Sequence, residues 1–257
     1  MKPLLFLVHR IPYPPNKGDK IRSYHILRYL IEKYRVYLGA FIDSKEDYEY
    51  RKDLQTLCEE AYLPGLNPKF SKAKSLWGLV SGEALTIPYY HSNKMQKWVN
   101  KIIAEHGIRK VFVFSSSMAQ YVIGSKYRNT ERIIDFVDVD SDKWRQYSGT
   151  VKWPLNWIYK REGIRLQRYE GQVAREFKWS TFVSEKEAAC FRSLQPDSAN
   201  KVKAFQNGVD LNYYDPGLDY CNPYQSDEQA IVFTGALDYC ANVDVVLWLS
   251  KEVFPEI

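Results

Sequence analysis

Asp138, Asp140 and Asp142 stand at alternate positions in the stretch DFVDVDSDKW, directly after an apolar run. Alternating carboxylates open a calcium loop, but the sixth position here is Lys143 instead of Gly and the twelfth is Gly149 instead of Glu, so that reading fails. Turn formation and hydrogen bonding to a ligand remain for this group. A second stretch with chemical potential is HRIPYPPNKGDKIRS, where Gly18 precedes a helical pattern. A residue without Cβ lets backbone approach a ligand closely, and the free N–H groups of a helix N-terminus favour phosphate. The stretch has neither the GxGxxG spacing of a dinucleotide fold nor the GK[ST] ending of a P-loop, and Asp19 reads equally as a helix N-cap. His9 closes the first apolar run and is placed to line a cleft, whereas His25, His91 and His106 read as surface or packing residues.

These residues need elements that hold them at one edge. LLFLV (Leu4 to Val8) reads as a buried strand, and Ile21, Tyr24, Leu27 and Leu30 follow helical spacing after it. Strand-like runs recur over residues 36–42, 111–115, 132–137, 180–184 and 202–207, with helical segments between most of them. Alternation of this kind predicts a mainly parallel, doubly wound Rossmann-like α/β sheet covered on both faces. In such sheets ligands lie beyond the carboxyl ends of the strands, so the loops after strands are the candidate site. Two more of them have distinctive content. In FVSEKEAACF, Ser184 and Glu187 form a capping box, and in FQNGVDLNYYDP, Asn207 and Gly208 form a tight turn.

Composition narrows the function classes. With 36 Lys and Arg against 31 Asp and Glu, the formal charge of +5 suits a phosphorylated ligand or an anionic surface and is too mild to indicate nucleic acid. The four cysteines show no CxxC pair, so neither a zinc site nor a disulfide framework is supported. No run approaches the length of a membrane span, and a cytoplasmic location, including the inner face of the membrane, is expected. The segment KWPLNWIYKREGIRLQRYEGQVAREFKW mixes Trp153, Trp157 and Tyr159 with Lys160, Arg161, Arg165, Arg168 and Arg175. It reads either as a helix packed on the core with Arg stems along the rim or as a basic aromatic face for an anionic bilayer.

Residues 213–229, rich in Pro, Asp, Asn and Tyr, read as a linker. Beyond it, IVFTGALDYCANVDVVLWLSKEVFPEI reads as strand Ile231–Phe233, a break at Gly235 and a helix from Val243. The expected organisation is a domain over 1–225 followed by the start of a second over 226–257.

PYPPNKGDKIRSYHILRYL resembles the N-terminal loop and helix of glycosyltransferase family 4, and TFVSEKEAACF, QNGVDLNYYDP and the final 27 residues resemble its later motifs in order. Lys-Gly-Asp-Lys-Ile-Arg-Ser and DVDSDKW are most similar to the sugar transferases of the PEP-CTERM and exosortase system. The resemblance implies a GT-B fold, with an acceptor-binding first domain and a second domain for a nucleotide sugar such as a UDP-sugar. It implies retaining, metal-independent transfer to a glycan or lipid-linked acceptor in surface polysaccharide synthesis, with no separate cofactor. Backbone N–H groups and basic side chains would then offset the diphosphate charge. Asp138 stands where the family often has His and is implied as catalytic, positioning the sugar or the acceptor hydroxyl. The implied substrate contacts are Asn16, Gly18, Asp19, Lys20, Asp140, Ser184, Glu185, Asn207, Gly208, Asp210 and Gly235. The family's paired glutamates and diphosphate-holding basic pair lie further into the second domain, so the chain ending at Ile257 is expected to be inactive alone and to self-associate through its last unit. A non-catalytic acceptor-binding or membrane-docking module is the alternative.

Overall fold

The computed structural model describes residues 1–212, 214–225, 228–235, 237 and 240–257. The chain divides into two compact units, Met1–Gly208 and Val209–Ile257.

The first unit is a single seven-stranded parallel sheet in the order β3-β2-β1-β4-β5-β6-β7. Its strands are β1 (Lys2–Val8), β2 (Tyr34–Ala40), β3 (Glu60–Tyr62), β4 (Lys110–Phe114), β5 (Glu131–Val137), β6 (Trp179–Phe182) and β7 (Val202–Ala204). The helices are α1 (Gly18–Lys33), α2 (Arg51–Leu57), α3 (Pro68–Ser75), α4 (Trp77–Ser81), α5 (Thr86–Tyr90), α6 (Asn93–Glu105), α7 (Asp140–Ser148), α8 (Leu155–Glu176) and α9 (Glu185–Leu194). The doubly wound Rossmann-like α/β class expected from the alternation is the fold of this unit.

Period-2 side-chain alternation splits β1 between two cores. Leu5 and Leu7 join Val111, Val113, Ile134 and Phe136 in one cluster with α6 and with Val173, Ala174 and Phe177 of the α8 region. Leu4, Phe6 and Val8 point the other way, with Val36 and Leu38, onto Leu27 and Leu30 of α1. Burial on both faces is why the strands read as continuous apolar runs.

Some boundaries differ from the sequence reading. The second strand starts at Tyr34, directly after α1, and ends at Ala40; Ile42 makes only an isolated bridge to Gly65. The last strand stops at Ala204, and Gln206 and Asn207 are exposed. Short β3 was not visible in the pattern, because three partly exposed residues carry no periodicity.

In the second unit no strand forms among the described residues: Ile231 to Phe233 have no regular secondary structure and no sheet partner, correcting the strand expected there. A helix, α10, does form, over Cys240–Trp248. Tyr213, Ser226 and Asp227 of the expected linker, and Ala236, Asp238 and Tyr239 of the expected turn, lie outside the described residues. Among the described residues no helix is long and apolar enough to cross a membrane.

Candidate functional site

The strand order reverses between β1 and β4: the chain runs outward through β2 and β3 from one side and through β5, β6 and β7 from the other. At such a switch point the loops leaving adjacent strands diverge and open a crevice at the carboxyl edge. The loop after β1 supplies His9 and Arg10 and the first turn of α1 Asp19, the turn after β4 supplies Ser116, and the loop after β5 supplies Asp138, with Asp140 at the start of α7.

His9 is fixed on three sides. Its Nε2 lies 3.3 Å from Asp19 Oδ2, and its ring stacks on Phe114, with centroids 5.9 Å apart, and meets Tyr90 edge-on. Its Nδ1 is shielded and has no hydrogen-bond partner among the described residues. Arg10 bridges Asp19 at 3.2 Å and Asp43 at 2.9 Å. Burial works to raise the Asp19 pKa, but the His9 hydrogen bond and the charges of His9 and Arg10 outweigh it and hold the carboxyl well below its usual range. Asp19 therefore stays ionised and orients the imidazole.

Asp140 begins α7, where its carboxylate accepts a hydrogen bond from Ser116 Oγ at 3.2 Å. Burial pushes its pKa up, opposed by Lys143 and the Ser116 bond and reinforced by the charge of Asp138. Asp138 itself pairs with Lys143 at 2.6 Å. Two carboxyl groups on one loop thus have different surroundings, one salt-bridged and the other desolvated, which is how acid and base roles separate. The backbone supporting them is strained. Val137 and Ser115, at the ends of adjacent strands, have φ of 71° and 78°. A positive φ is a genuine outlier for a β-branched residue, and such residues cluster at functional sites.

Beneath this edge, α7 is anchored by a buried acid: Glu170 of α8 accepts from Ser141 N at 3.1 Å and Ser141 Oγ at 2.5 Å. Burial and the nearby Asp140 push Glu170 up to about 8. Close packing of α8 on α7 needs Gly163, since a Cβ there would lie 2.9 Å from Ser141 O.

The predicted site residues fall into distinct groups. Gly18, Asp138, Ser184 and Asn207 all follow the carboxyl ends of parallel strands. Gly18 opens α1 on open space, with nothing within 4 Å of an added Cβ, and Asn16 is exposed beside it. Lys20 turns inward, its ammonium 2.7 Å from both Asp47 oxygens and its side chain 4% exposed, so it is held away from the open edge. Ser184 caps α9, accepting from Glu187 N at 3.2 Å. The Glu187 carboxylate reaches across to Val139 N at 2.7 Å, tying α9 to the aspartate loop instead of closing a reciprocal capping box. Glu185 is exposed and pairs with Arg192. Asn207 Oδ1 accepts from Arg22 at 2.7 Å, and Gly208 ends the first unit. Asp210 and Gly235 belong to the second unit, where Asp210 accepts from Asn212 N and Gly235 abuts Asn242.

Sequence reasoning passed over Arg10, Asp43, Ser116, Arg22, Asp135 and Glu170. The available signals were the Ser115–Ser117 run after a strand and an acidic residue inside an apolar strand at Asp135.

No known protein-family profile matches the chain, and no curated protein matches it in sequence. Among solved structures it is similar to HepE from Anabaena in complex with UDP-glucose, at 15% identity over 83% of this chain and 46% of HepE, with a TM-score of 0.52. It also aligns with the N-terminal domain of trehalose-6-phosphate phosphatase from Candida albicans (12% identity, 83% of this chain and 50% of that one, TM-score 0.48). A third alignment is with TcCGT1 in complex with UDP (12% identity, 98% and 55%, TM-score 0.46). At such identities the HepE likeness concerns the fold alone. The chain spans about half the length of these proteins.

Proposed function

We propose that this chain is the acceptor-side half of a GT-B glycosyltransferase, moving a sugar from a nucleotide sugar such as a UDP-sugar to a glycan or lipid-linked acceptor, with retention and without a metal. The observation that carries the reading is the polar cluster at the β1/β4 switch point, where His9 is oriented by an ionised Asp19 and faces an edge that also holds Asp138 and Asp140. The HepE fold neighbour, solved with UDP-glucose, lends support, as do the family-4 motifs. In this reading the region corresponding to the rest of HepE supplies the donor pocket, surface polysaccharide synthesis is the setting, and the inner face of the membrane is the place.

The roles follow from the surroundings. The free N–H groups at Gly18 offer partial positive charge to a phosphate arriving at α1. His9, oriented by Asp19 through Nε2, has its Nδ1 without a hydrogen-bond partner among the described residues, and this is the atom that meets an acceptor hydroxyl once the acceptor displaces its neighbours. Asp138, held by Lys143, positions the sugar or acceptor hydroxyl, and Asp140 keeps a proton more readily than an exposed aspartate.

The test uses a protein carrying both halves, incubated with a panel of nucleotide sugars and extracted lipid-linked glycans, with products read by mass spectrometry. Failure of every donor to add mass overturns the reading. Asp138→Asn lowers turnover by about 10² in that protein; unchanged turnover returns Asp138 to a turn-forming role. Robust turnover by the 257-residue chain alone overturns the division into acceptor and donor halves.

A docking module is a second reading, favoured by the exposure of Trp153, Leu155 and Trp157 beside Lys160. Arg161 is not part of that face, because its guanidinium donates to Gly78 O at 2.6 Å and Glu83 O at 3.0 Å. Co-sedimentation with phosphatidylglycerol vesicles that is lost on Trp153→Ala/Trp157→Ala supports docking, and absence of binding removes it.

A further inference from the structure

A cavity of about 650 Å³ lies between α8 and the α3 to α5 region, lined by none of the switch-point residues. Its walls combine charged, apolar and neutral polar side chains, the last being His91, Gln96, Gln120 and Gln172. Lys74, Arg165 and Arg168 contribute three cations, against a single carboxylate, Glu83. Trp77, Ile87, Pro88 and Ile123 form an apolar surface beside them. Arg165 and Arg168 also wall a second hollow, of about 380 Å³, with Trp157 and Ile164.

Three polar side chains of this lining lack counterparts among the described residues, whereas its glutamines and His91 are hydrogen-bonded. Among the described residues neither Arg165 nor Arg168 has a hydrogen-bond or ion-pair partner, in contrast to Arg161 one turn away. Tyr169 Oη is shielded from solvent and has no hydrogen-bond partner among the described residues. Lys74 donates to the carbonyl of His91, and burial pulls its pKa down. A site with several unanswered donors at one end and hydrocarbon along the other suits an anion on an apolar chain.

We infer that this cavity binds the phosphate or diphosphate of a hydrocarbon amphiphile, with the anion between Lys74, Arg165, Arg168 and Tyr169 Oη, and the chain lying along Trp77, Ile87 and Ile123. The inference rests on the transferase reading only in making this amphiphile the anchor of the lipid-linked acceptor. Binding is measured without turnover, so either can fail while the other stands.

The experiment is calorimetric titration of the 257-residue chain with farnesyl diphosphate, inorganic pyrophosphate and farnesol. Farnesyl diphosphate is expected to bind saturably at one site, with pyrophosphate and farnesol each at least about tenfold weaker, since each captures only half of the recognition. Arg165→Gln/Arg168→Gln, with its fold checked by circular dichroism, weakens farnesyl diphosphate by about tenfold or more. Trp77→Ala, at an exposed position, weakens farnesyl diphosphate without changing pyrophosphate. Pyrophosphate binding as tightly as farnesyl diphosphate overturns the amphiphile, leaving a plain anion site. Farnesol binding as tightly overturns the anion clamp. Wild-type affinity in both variants, or no farnesyl diphosphate binding at all, overturns the site.

Discussion

Breaking the Arg22–Asp135 pair tests how the carboxyl edge is held. Arg22 Nε lies 2.7 Å from Asp135 Oδ2, with side-chain exposures of 4% and 0%. Its other two nitrogens reach Asn207 Oδ1 at 2.7 Å and Phe205 O at 2.5 Å, so one guanidinium joins α1, β5 and the segment after β7. Arg22→Met leaves a carboxylate buried without a cation, which costs about 3–5 kcal/mol. The Asn207 and Phe205 bonds add little, because those partners can turn to water. A loss of about 4 kcal/mol corresponds to roughly 8–16 °C in Tm for a domain of this size. The pH dependence has a definite sign. Burial raises the Asp135 pKa and Arg22 opposes it, so removing Arg22 raises it further in the folded state. A carboxyl whose folded pKa exceeds its unfolded value loses stability as pH rises between the two values. Urea denaturation should therefore show a larger Arg22→Met penalty at pH 8 than at pH 5. Arg22→Met/Asp135→Leu, which removes the charge along with its partner, should recover much of the loss. A penalty below about 1 kcal/mol at pH 8, or one that the double variant does not relieve, refutes the reasoning.

Three further outcomes follow from neighbouring geometry. Glu170, pushed up to about 8, contributes stability that is full below its unfolded value and lost as pH rises toward 8; Glu170→Gln keeps an acceptor for Ser141 N and a donor for Ser141 Oγ, so the variant should match wild type near pH 5 and exceed it near pH 9 in urea melts. Gly163→Ala forces a methyl to within 2.9 Å of Ser141 O and should cost about 1–3 kcal/mol by the same assay. Size-exclusion chromatography should show the full chain as a dimer or larger species and the chain ending at Gly208 as a monomer, because Ile231, Val232, Leu247 and Trp248 are exposed in the second unit.

The parts of the fold that were legible in the sequence are those where one physical requirement dominates. A central parallel strand is apolar on both faces, so Leu4 to Val8 and the runs near residues 111 and 132 announce themselves, whereas the strand order does not: crossover rules fix the hand of each connection and leave open which strands pair. Edge positions obey weaker requirements. β3 has three residues and no burial pattern, and Ile231 to Phe233 have the composition of a strand with no neighbour among the described residues to pair with. The site divides similarly. Asp138, Asp140 and Gly18 were visible because loops after strands are short and their contents stand out. Lys20 was equally visible, but its burial against Asp47 depends on a loop 27 positions away. Arg22 is hidden for the same reason, since Asp135 lies 113 positions away and no local pattern connects them.

Gly18→Ala separates the local reading of the α1 loop from the functional one. If Gly18 serves only the helix, alanine should be accepted without cost: nothing lies within 4 Å of the new Cβ, and no positive φ is required. Helix propensity even favours the change, by up to about 1 kcal/mol, with less at a first-turn position. The reason to keep glycine is then the ligand, because a methyl at the entrance to α1 stands where backbone N–H groups would meet a phosphate. Gly18→Ala should melt at the same temperature as wild type or slightly above it. In a protein carrying both halves it should also raise KM for the nucleotide sugar by about tenfold, one lost charge-assisted hydrogen bond. An unchanged KM would mean the diphosphate does not approach α1, and the anion-binding role would have to move to another strand end. A lowered melting temperature would show instead that the glycine answers a backbone demand of the Pro-rich turn before it.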